Sequence, residues 1–436
     1  MQSIDDGQAR DSDAPPPWRP AQGFSSQSEA GVAQVILTAV LVAVAFAAGW
    51  FGNGFVTSAN VATGDQRLII QAWNDIDRNF VVTSAIDHQK MAYSAIQAMV
   101  NSLGDTGHSR FETADQLKAE QNSLNNTPTV GIGVYLSGGG SQPLQIVAII
   151  PNAPASKVNL RPGDLIVAVN GTSIKGKTFD EVHTLISGTE GTKVTLTIIR
   201  PSVSPTATFD VVITRGKFVS PTVASFVIPG ENIADILLYQ FSSDADAQIS
   251  KAIKAAEDAH VKGIVLDLRD NPGGLLDQAT AVSSEFLPKG ETVFIDRKRS
   301  GSSKQISSCG CIGNQIPLEI LVNNNTASAA EITAGAISIN RPAVHLIGQT
   351  TFGTGTILTQ FMLSDGSALW LGSEEWLLPN GQSVYHKGLT PDQPVALPQN
   401  VTPLSPLVAS QENYSQQQVL DSGDTQLLQA LKDLNG

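Results

Sequence analysis

The residue whose type and position best suit catalysis is a serine between a strand and a helix. An apolar run over 318–322 predicts a buried strand, a polar turn follows at 323–326, and helical spacing begins at Ala327. Ser328 therefore stands where the first N–H groups of a helix point outwards. A nucleophile and an anionic intermediate can meet at such a place, and the Ala329 N–H is one candidate donor to the anion.

A glycine pair supplies the other candidate donors. The apolar run 263–268 predicts a strand in a sheet covered on both faces, and it leads into Gly273, Gly274 and a helix over 275–286. Glycine lets a substrate carbonyl approach backbone N–H groups without a Cβ clash. A tight turn would explain the pair alone, but together with a serine on another strand it favours an oxyanion hole. The alternation of strands and helices predicts an α/β core over residues 210–400.

Glu331 follows Ser328 by one helical turn and has two interpretations. It orients a partner of the serine, or it is a first-turn carboxylate that the helix dipole favours.

The two cysteines do not predict a metal site. Cys309 and Cys311 have no His or further Cys at zinc spacing, so we expect neither a metal nor a cofactor. A single residue between them would allow only a strained disulfide, so we expect a simple loop pair, with a labile disulfide outside the membrane as the alternative.

Several segments resemble one known family. The run 323–332, Asn-x-x-Thr-Ala-Ser-Ala-Ala-Glu-Ile, and the loop 351–355, Thr-Phe-Gly-x-Gly, are similar to the nucleophile and base segments of the C-terminal processing (tail-specific) serine peptidases. Asp-Leu-Arg-x-Asn-Pro-Gly-Gly at 267–274 and Gly-Leu-Thr-Pro-Asp at 388–392 match further segments in the expected order. The resemblance covers roughly residues 66–436 and implies a crotonase-like or ClpP-like core with Ser328 as the nucleophile.

The chain departs from that family at the general base. The family has a lysine between the two glycines of the loop, where this chain has Thr354, and often a glutamine where this chain has Leu358. A threonine hydroxyl cannot accept a proton at neutral pH, and a serine without a base is a poor nucleophile.

Other side chains are candidates for the base. The loop 103–111 resembles a segment of the C-terminal processing peptidases and their tricorn-like relatives, with one extra residue before the histidine. In the tricorn-like relatives a histidine of this region serves the nucleophile as base, and this implies His108 as the base here. A turn histidine bound to backbone is the alternative. Lys387, His386 and Glu375 are further candidates, and an inactive core is the remaining interpretation.

Residues 129–201 resemble a PDZ domain along its whole length, with short alternating strands and glycine turns. The resemblance implies that a peptide is added as an extra strand and that its terminal carboxylate is held by the backbone of Gly131, Ile132, Gly133 and Val134. A small barrel without a ligand is the alternative.

The N-terminal part predicts a membrane anchor. Residues 1–30 are rich in Pro and Asp and predict a disordered cytoplasmic tail. Residues 31–52 include an apolar run of about 20 residues, the length of a transmembrane helix, with no charge between Glu29 and Asp65. A cleaved signal peptide is the alternative. The basic residues before the run favour a single pass through the cell membrane with the catalytic bulk extracytoplasmic.

The whole chain is predicted to be a multidomain α/β (α+β) protein. A helical region over 64–125 precedes the PDZ segment, and an extension with a short helix over 401–436 follows the core. A net charge of −13 argues against nucleic acid as a partner.

These features predict a membrane-anchored serine endopeptidase of the C-terminal processing type, with proteins or peptides that end in apolar tails as substrates. The PDZ domain would select the tail and Ser328 would cut. The alternative is a pseudo-peptidase that binds C-termini without cleaving them, because Thr354 replaces the family's base.

Overall fold

The computed structural model describes residues 64–105, 108–140, 142–201, 207–298, 300–307, 311–399 and 401–436. The predicted tail (1–30) and membrane anchor (31–52) lie outside these ranges. No helix within them is long and apolar enough to cross a membrane.

The helices of the described residues are, in chain order, α1 (Gly64–Asn79), α2 (His88–Asn101), α3 (Ala114–Leu124), α4 (Phe179–Ile186), α5 (Ala245–Asp258), α6 (Leu276–Phe286), α7 (Ala329–Asn340), α8 (Pro406–Gln411), α9 (Gln416–Leu420) and α10 (Thr425–Asn435). The strands are β1 (Arg110–Glu112), β2 (Thr129–Gly131), β3 (Val134–Gly139), β4 (Gln142–Ile149), β5 (Leu165–Val169), β6 (Thr172–Ser173), β7 (Lys193–Arg200), β8 (Ala207–Thr214), β9 (Gly216–Phe218), β10 (Val223–Ile228), β11 (Ile233–Leu238), β12 (Gly263–Asp267), β13 (Thr292–Lys298), β14 (Gly301–Ile306), β15 (Leu318–Val322), β16 (Leu346–Gly348), β17 (Thr356–Met362), β18 (Ala368–Leu377) and β19 (Gln393–Pro394).

The predicted helical region 64–125 is divided in the structure. A boundary after Asp87 separates the chain into two units, and α1 belongs to the first while α2 and α3 belong to the second. The region also contains β1, which pairs with β18 more than 250 positions later in the chain. The helical spacing gave no sign of this strand, because three residues are too few to show an alternating pattern.

The PDZ segment has its own sheet and its own apolar core. The strand order is β3-β4-β5-β7-β8, with β6 paired to β5, so β3 lies at an edge of the sheet. Ile146, Leu196 and Ile198 are fully buried in this core. Aliphatic side chains at alternate positions of β7 supply one face of it, as the period of a strand requires.

The peptidase core is built on a mostly parallel sheet with the order β10-β11-β12-β15-β16-β19. Only β10 is antiparallel to its neighbour. Helices α5, α6 and α7 contribute to the apolar core on one face, and α9 and α10 contribute to the core on the other. Every residue of β12 and β15 is buried, which confirms the prediction of a doubly covered sheet.

The parallel arrangement brings three loops to one edge of this sheet. Strands β12, β15 and β16 run in the same direction. The loop after β12 carries the glycine pair, and the loop after β15 carries Ser328. The loop after β16, residues 349–355, is called the third loop. Ligand sites of open α/β sheets lie at the carboxyl ends of the strands. The third loop leads into β17, which belongs to a second, antiparallel sheet. In that sheet β17 pairs with β18, and β18 pairs with β1.

Candidate active site

Ser328 has an unusual backbone conformation, with φ 55° and ψ −119°, directly before α7. The backbone of a non-glycine residue is strained at positive φ, and such strain persists where surrounding contacts impose it. The Ser328 N–H donates to Glu331 Oε2 at 3.0 Å and to Thr354 Oγ1 at 3.1 Å. These two contacts of the backbone N–H fix the turn.

Gly273 packs directly against the serine. A Cβ atom on Gly273 would lie 2.7 Å from Ser328 Cβ and 2.9 Å from the Ala329 nitrogen, so the position admits only glycine. The φ of Gly273 is also positive, at 96°. The predicted meeting of the glycine turn and the serine turn is present in the structure.

The three predicted oxyanion donors differ in their hydrogen bonds. The Gly273 N–H donates to Asn271 Oδ1 at 2.8 Å and is engaged in this conformation. Within the described part of the chain, neither the Gly274 N–H nor the Ala329 N–H donates to another group. These two donors are therefore the ones available to a substrate oxygen.

Glu331 is completely buried and accepts five hydrogen bonds. Oε2 accepts from the N–H groups of Ser328 and Thr354 and from the Thr354 hydroxyl, each at 3.0 Å. Oε1 accepts from the Gly353 N–H at 2.7 Å and from the Thr351 hydroxyl. The carboxylate therefore joins the third loop to the serine turn, a role that fits the orienting interpretation of Glu331.

Thr354, to which the sequence resemblance assigns the family's lysine position, is buried beside Ser328. Its hydroxyl donates to Glu331 and accepts from the Ser328 N–H. Both contacts are hydrogen bonds that hold the turn. A threonine hydroxyl is too weak a base to remove the proton of Ser328 at neutral pH. Leu358 lies on β17, beyond this loop.

His108 lies near this loop without contacting the serine. Its Nδ1 is 2.6 Å from the Oγ1 of Thr356, two residues after Thr354. Burial lowers the pKa of His108 to about 4, an effect that the nearby Asp105 carboxylate opposes. The imidazole is therefore neutral at neutral pH, as a general base must be, but no hydrogen bond to Ser328 is formed in this conformation.

The other candidates for the base are placed less favourably. Glu375 forms an ion pair with Arg297 across β13 and β18. The His386 N–H donates to the Gly353 carbonyl at 2.9 Å, so the 384–388 turn contacts the third loop through its backbone. The side chains of His386 and Lys387 are exposed.

The predicted peptide-binding segment follows β2. Ile132 is buried, while Gly133 has φ 75° and a Cβ there would lie 2.1 Å from Ala153 Cβ. In the part of the chain that the structure describes, neither the Ile132 N–H nor the Gly133 N–H donates to another group. Gly131 pairs with Gly216, and Val134 begins the edge strand β3. Open N–H groups beside an open strand edge are the features that a tail-binding site needs.

A cluster of titratable side chains lies outside the serine turn. Ligand atoms of Glu319, His345 and Asp433 lie within 4.8 Å of one another. Glu319 and His345 already form an ion pair at 3.2 Å, and the Gln393 and Gln429 amides donate to Asp433. We therefore assign Glu319 and His345 to an ion pair and Asp433 to hydrogen bonds with the two amides. Cys311 is disulfide-bonded, so the expectation of a simple loop pair is wrong for this residue, whereas Cys309 lies outside the described ranges.

The positions missed by the sequence reasoning are the ones that hold the loops. Asn271 fixes the glycine turn by accepting from the Gly273 N–H and by donating to the Leu238 carbonyl at 2.7 Å. The Thr351 hydroxyl also accepts from the Leu389 N–H at 2.7 Å. Both lie in motif segments, but their partners come from distant parts of the chain.

The serine lies at a strained strand-to-helix turn, near N–H groups without an internal hydrogen-bond partner in the described chain, and a PDZ-like domain precedes it. This combination is the architecture of a serine peptidase. Comparison with known proteins identifies the family. Residues 232–395 match Peptidase family S41, and residues 145–200 match the PDZ domain. The chain belongs to the S41 peptidases of the C-terminal processing type.

Two curated relatives and one solved structure illustrate the similarity. The carboxy-terminal processing protease CtpA of Bacillus subtilis is 34% identical over 369 residues, which are 84% of this chain and 77% of the relative. A probable CtpA-like serine protease of Staphylococcus aureus is 32% identical over 375 residues, 84% of this chain and 72% of the relative. A putative S41 protease from Bacteroides fragilis covers 78% of this chain and 90% of its own at 19% identity with a TM-score of 0.53, which supports the fold.

Proposed function

We propose that this chain is an active serine endopeptidase that uses Ser328 to cleave proteins or peptides whose C-terminal tails bind its PDZ domain. The observation that carries the proposal is the Ser328 turn. A positive φ is retained there although it is strained, and the adjacent Gly274 and Ala329 N–H groups have no internal partner in the described chain. A core without chemistry has no need for either feature.

The turn can perform acyl transfer once a base is present. Ser328 Oγ attacks the scissile carbonyl and gives its proton to the base, while the carbonyl oxygen becomes an anion near the Gly274 and Ala329 N–H groups. The same proton then goes to the leaving amine, and water releases the acyl group by the reverse route. We propose His108 as the base, because the imidazole is neutral at neutral pH and its Nδ1 lies 2.6 Å from the Oγ1 of Thr356, two residues after Thr354.

Cleavage with His108 as the general base requires a movement of the His108 side chain. The imidazole is hydrogen-bonded to Thr356 in the present conformation and must move to reach the serine. Catalytic hydrogen bonds are often long or unformed before substrate binds.

The PDZ domain supplies substrate selection in this proposal. An extended tail would pair with the open edge of β3, and its carboxylate would accept from the Ile132 and Gly133 N–H groups. Apolar tail residues fit a site of this kind, because alternate side chains of an added strand face the domain. The apolar segment 31–52 would hold the enzyme at the outer side of the cell membrane.

Thr354 supports a second candidate function, the binding of C-termini without cleavage. Its hydroxyl stands in the family's lysine position with both of its contacts structural. In that case the serine turn would be an inherited scaffold and the PDZ domain would provide the activity.

One assay separates the two candidates. We expect the wild-type chain to cleave a protein substrate with an apolar C-terminal tail and Ser328→Ala to lose that cleavage, because a hydroxyl nucleophile is required. Ser338→Ala is the matched control, since Ser338 lies on the same helix and bonds only to the Gly335 carbonyl within the described chain. Absence of Ser328-dependent cleavage in the wild type would establish the binding function instead.

A further inference from the structure

The glycine turn of the active site is attached to the C-terminal helix by a buried ion pair. Arg269 is 3% exposed and Asp424 is 0% exposed. Arg269 Nη1 donates to both Asp424 oxygens at 2.9 Å and to Gln426 Oε1 at 3.1 Å. The same guanidinium donates through Nε and Nη2 to Asp267 at the end of β12.

Asp424 is itself held by the C-terminal segment. Its carboxylate caps α10 by accepting from the Leu427 N–H at 3.1 Å, and it accepts from the Leu404 N–H at 2.9 Å. These bonds add to those from Arg269, so the Asp424 carboxylate is fixed at the junction of the 401–405 segment and α10. Movement of Asp424 would therefore break both hydrogen bonds between its carboxylate and Arg269 Nη1, and breaking a buried ion pair is costly.

A continuous set of contacts leads from Arg269 to the serine. Asp270, the next residue, has φ 57° and its N–H donates to Asn323 Oδ1 at 3.0 Å. The Ala327 N–H donates to the Asn271 carbonyl at 3.0 Å, directly before Ser328. The loop 269–274 is therefore bonded to the serine turn on one side and to α10 on the other.

A third carboxyl group lies in the same region and does not compete for Arg269. Asp235 is fully buried, and neither of its oxygens has a hydrogen-bond partner in the described chain. Burial, with the neighbouring Asp267 carboxylate, raises the pKa of Asp235 well above its usual range. The carboxyl groups that are hydrogen-bonded to Arg269 are those of Asp267 and Asp424.

We propose that Arg269 and Asp424 are positioning residues that make the C-terminal helix α10 part of the oxyanion-hole assembly. Loss of the ion pair releases the loop 269–274, which packs against Ser328 through Gly273 and carries the Gly274 N–H. The catalytic part of this inference rests on the proposed function, whereas the coupling of α10 to the loop does not.

Amide hydrogen exchange of the full chain tests the coupling without any need for activity. In Asp424→Asn, which keeps the shape and removes the charge, we expect exchange in residues 268–275 and 323–329 to rise at least tenfold. The matched control is Asp421→Asn, because Asp421 is exposed and bonds to Gln417 within α9. Exchange in the PDZ helix α4 should be unchanged in both variants.

The second variant is Arg269→Lys, which keeps the charge but loses the planar fork that binds two carboxylates. It is expected to raise exchange in the same two loops, and it replaces Asp424→Asn in this test if that variant does not fold. Unchanged exchange in the loops of a folded variant would overturn the proposal. A uniform rise through β12, α6 and the loops would also overturn it, since that result indicates a general loss of stability.

Kinetics test the catalytic part separately. If the oxyanion donors lose their position, kcat for a tail-bearing substrate should fall at least tenfold in Asp424→Asn with KM changed less than twofold, because the PDZ site is untouched. A tenfold rise in KM with kcat unchanged would contradict the positioning role. A wild type without any cleavage would refute the proposed function and leave the exchange result to decide the coupling.

Discussion

At the scale of single residues, the geometry of the serine turn depends on the Glu331 carboxylate. Replacement by Gln turns one acceptor oxygen into an NH₂ group that faces N–H and O–H donors of the third loop or of the serine turn. We expect Glu331→Gln to lower the free energy of unfolding by about 2–3 kcal/mol, the cost of unsatisfied buried donors. The proposed cleavage activity should fall as well, since the loop and the serine lose their common anchor.

Thermal or denaturant unfolding measures this effect. Glu374→Gln is the control, because Glu374 is paired with Lys298 on an exposed surface where an ion pair contributes about 0–1 kcal/mol. Equal stability losses in the two variants would show that Glu331 is an ordinary first-turn carboxylate.

The role of His108 predicts a particular pH dependence. An unperturbed imidazole would give a rate that rises between about pH 6 and 7. Burial lowers the pKa of His108 to about 4, and the neutral form is the one that accepts a proton. With His108 as the base, kcat/KM should therefore rise through about pH 4 and be level across pH 6–7.

The measurement is the pH profile of kcat/KM for the wild type and for His108→Ala. We expect the variant to lose orders of magnitude in rate, while His183→Ala, which removes an exposed histidine of α4, keeps the wild-type profile. Full activity in His108→Ala would exclude this base and direct attention to His386 and Lys387, which lie on the turn next to Gly353.

At the scale of elements, the PDZ loop between β2 and β3 offers a comparison of two glycines. Gly133 and Gly171 both have φ 75°, so alanine at either position pays a similar backbone strain of about 1–2 kcal/mol. A Cβ at Gly133 meets Ala153 Cβ at 2.1 Å, whereas a Cβ at Gly171 meets nothing within 4 Å. Only Gly133→Ala should therefore displace the proposed carboxylate loop.

Peptide binding to the full chain in a Ser328→Ala background checks this expectation. Gly133→Ala should weaken the affinity for a free-carboxylate apolar tail at least tenfold, or about 1.4 kcal/mol, and Gly171→Ala should leave it unchanged. An amidated tail should bind more weakly than the free acid, because charge-assisted hydrogen bonds are the stronger kind. Equal affinity for the two tails would contradict a carboxylate-binding loop.

The elements with strong local patterns were predictable from the sequence, and those that depend on distant partners were not. The apolar run 318–322 coincides with β15, and the predicted helix after Gly274 is α6. Strand β1 was missed because its stability comes from β18, and the extension 401–436 contains α8 and α9 in addition to the predicted terminal helix. A local sequence pattern does not indicate which distant segment an element pairs with.

The candidate site shows the same division. Ser328 and the glycine pair were predicted to meet, and Gly273 packs against Ser328 in the structure. The attachment of Arg269 to Asp424 was not predicted, because 155 positions separate the two and an aspartate before a helix is an ordinary N-cap. The engagement of the Gly273 N–H by Asn271 likewise depends on a side-chain rotamer that a sequence does not specify.

At the scale of the whole molecule, the proposal that the enzyme works at a membrane can be tested through the apolar segment 31–52. The segment contains no charged residue between Glu29 and Asp65 and is long enough for one helical crossing. In cells that express the full chain, we expect the protein to remain with membranes after a carbonate wash and to be lost from them when residues 31–52 are deleted. Protease added to intact cells, or to spheroplasts where an outer membrane blocks access, should digest the PDZ domain and the core, because the basic residues that precede the segment favour a cytoplasmic N-terminus. Protection of both domains in unlysed cells would reverse the orientation, and a soluble mature form that begins near Ala48 would show that the segment is a cleaved signal peptide.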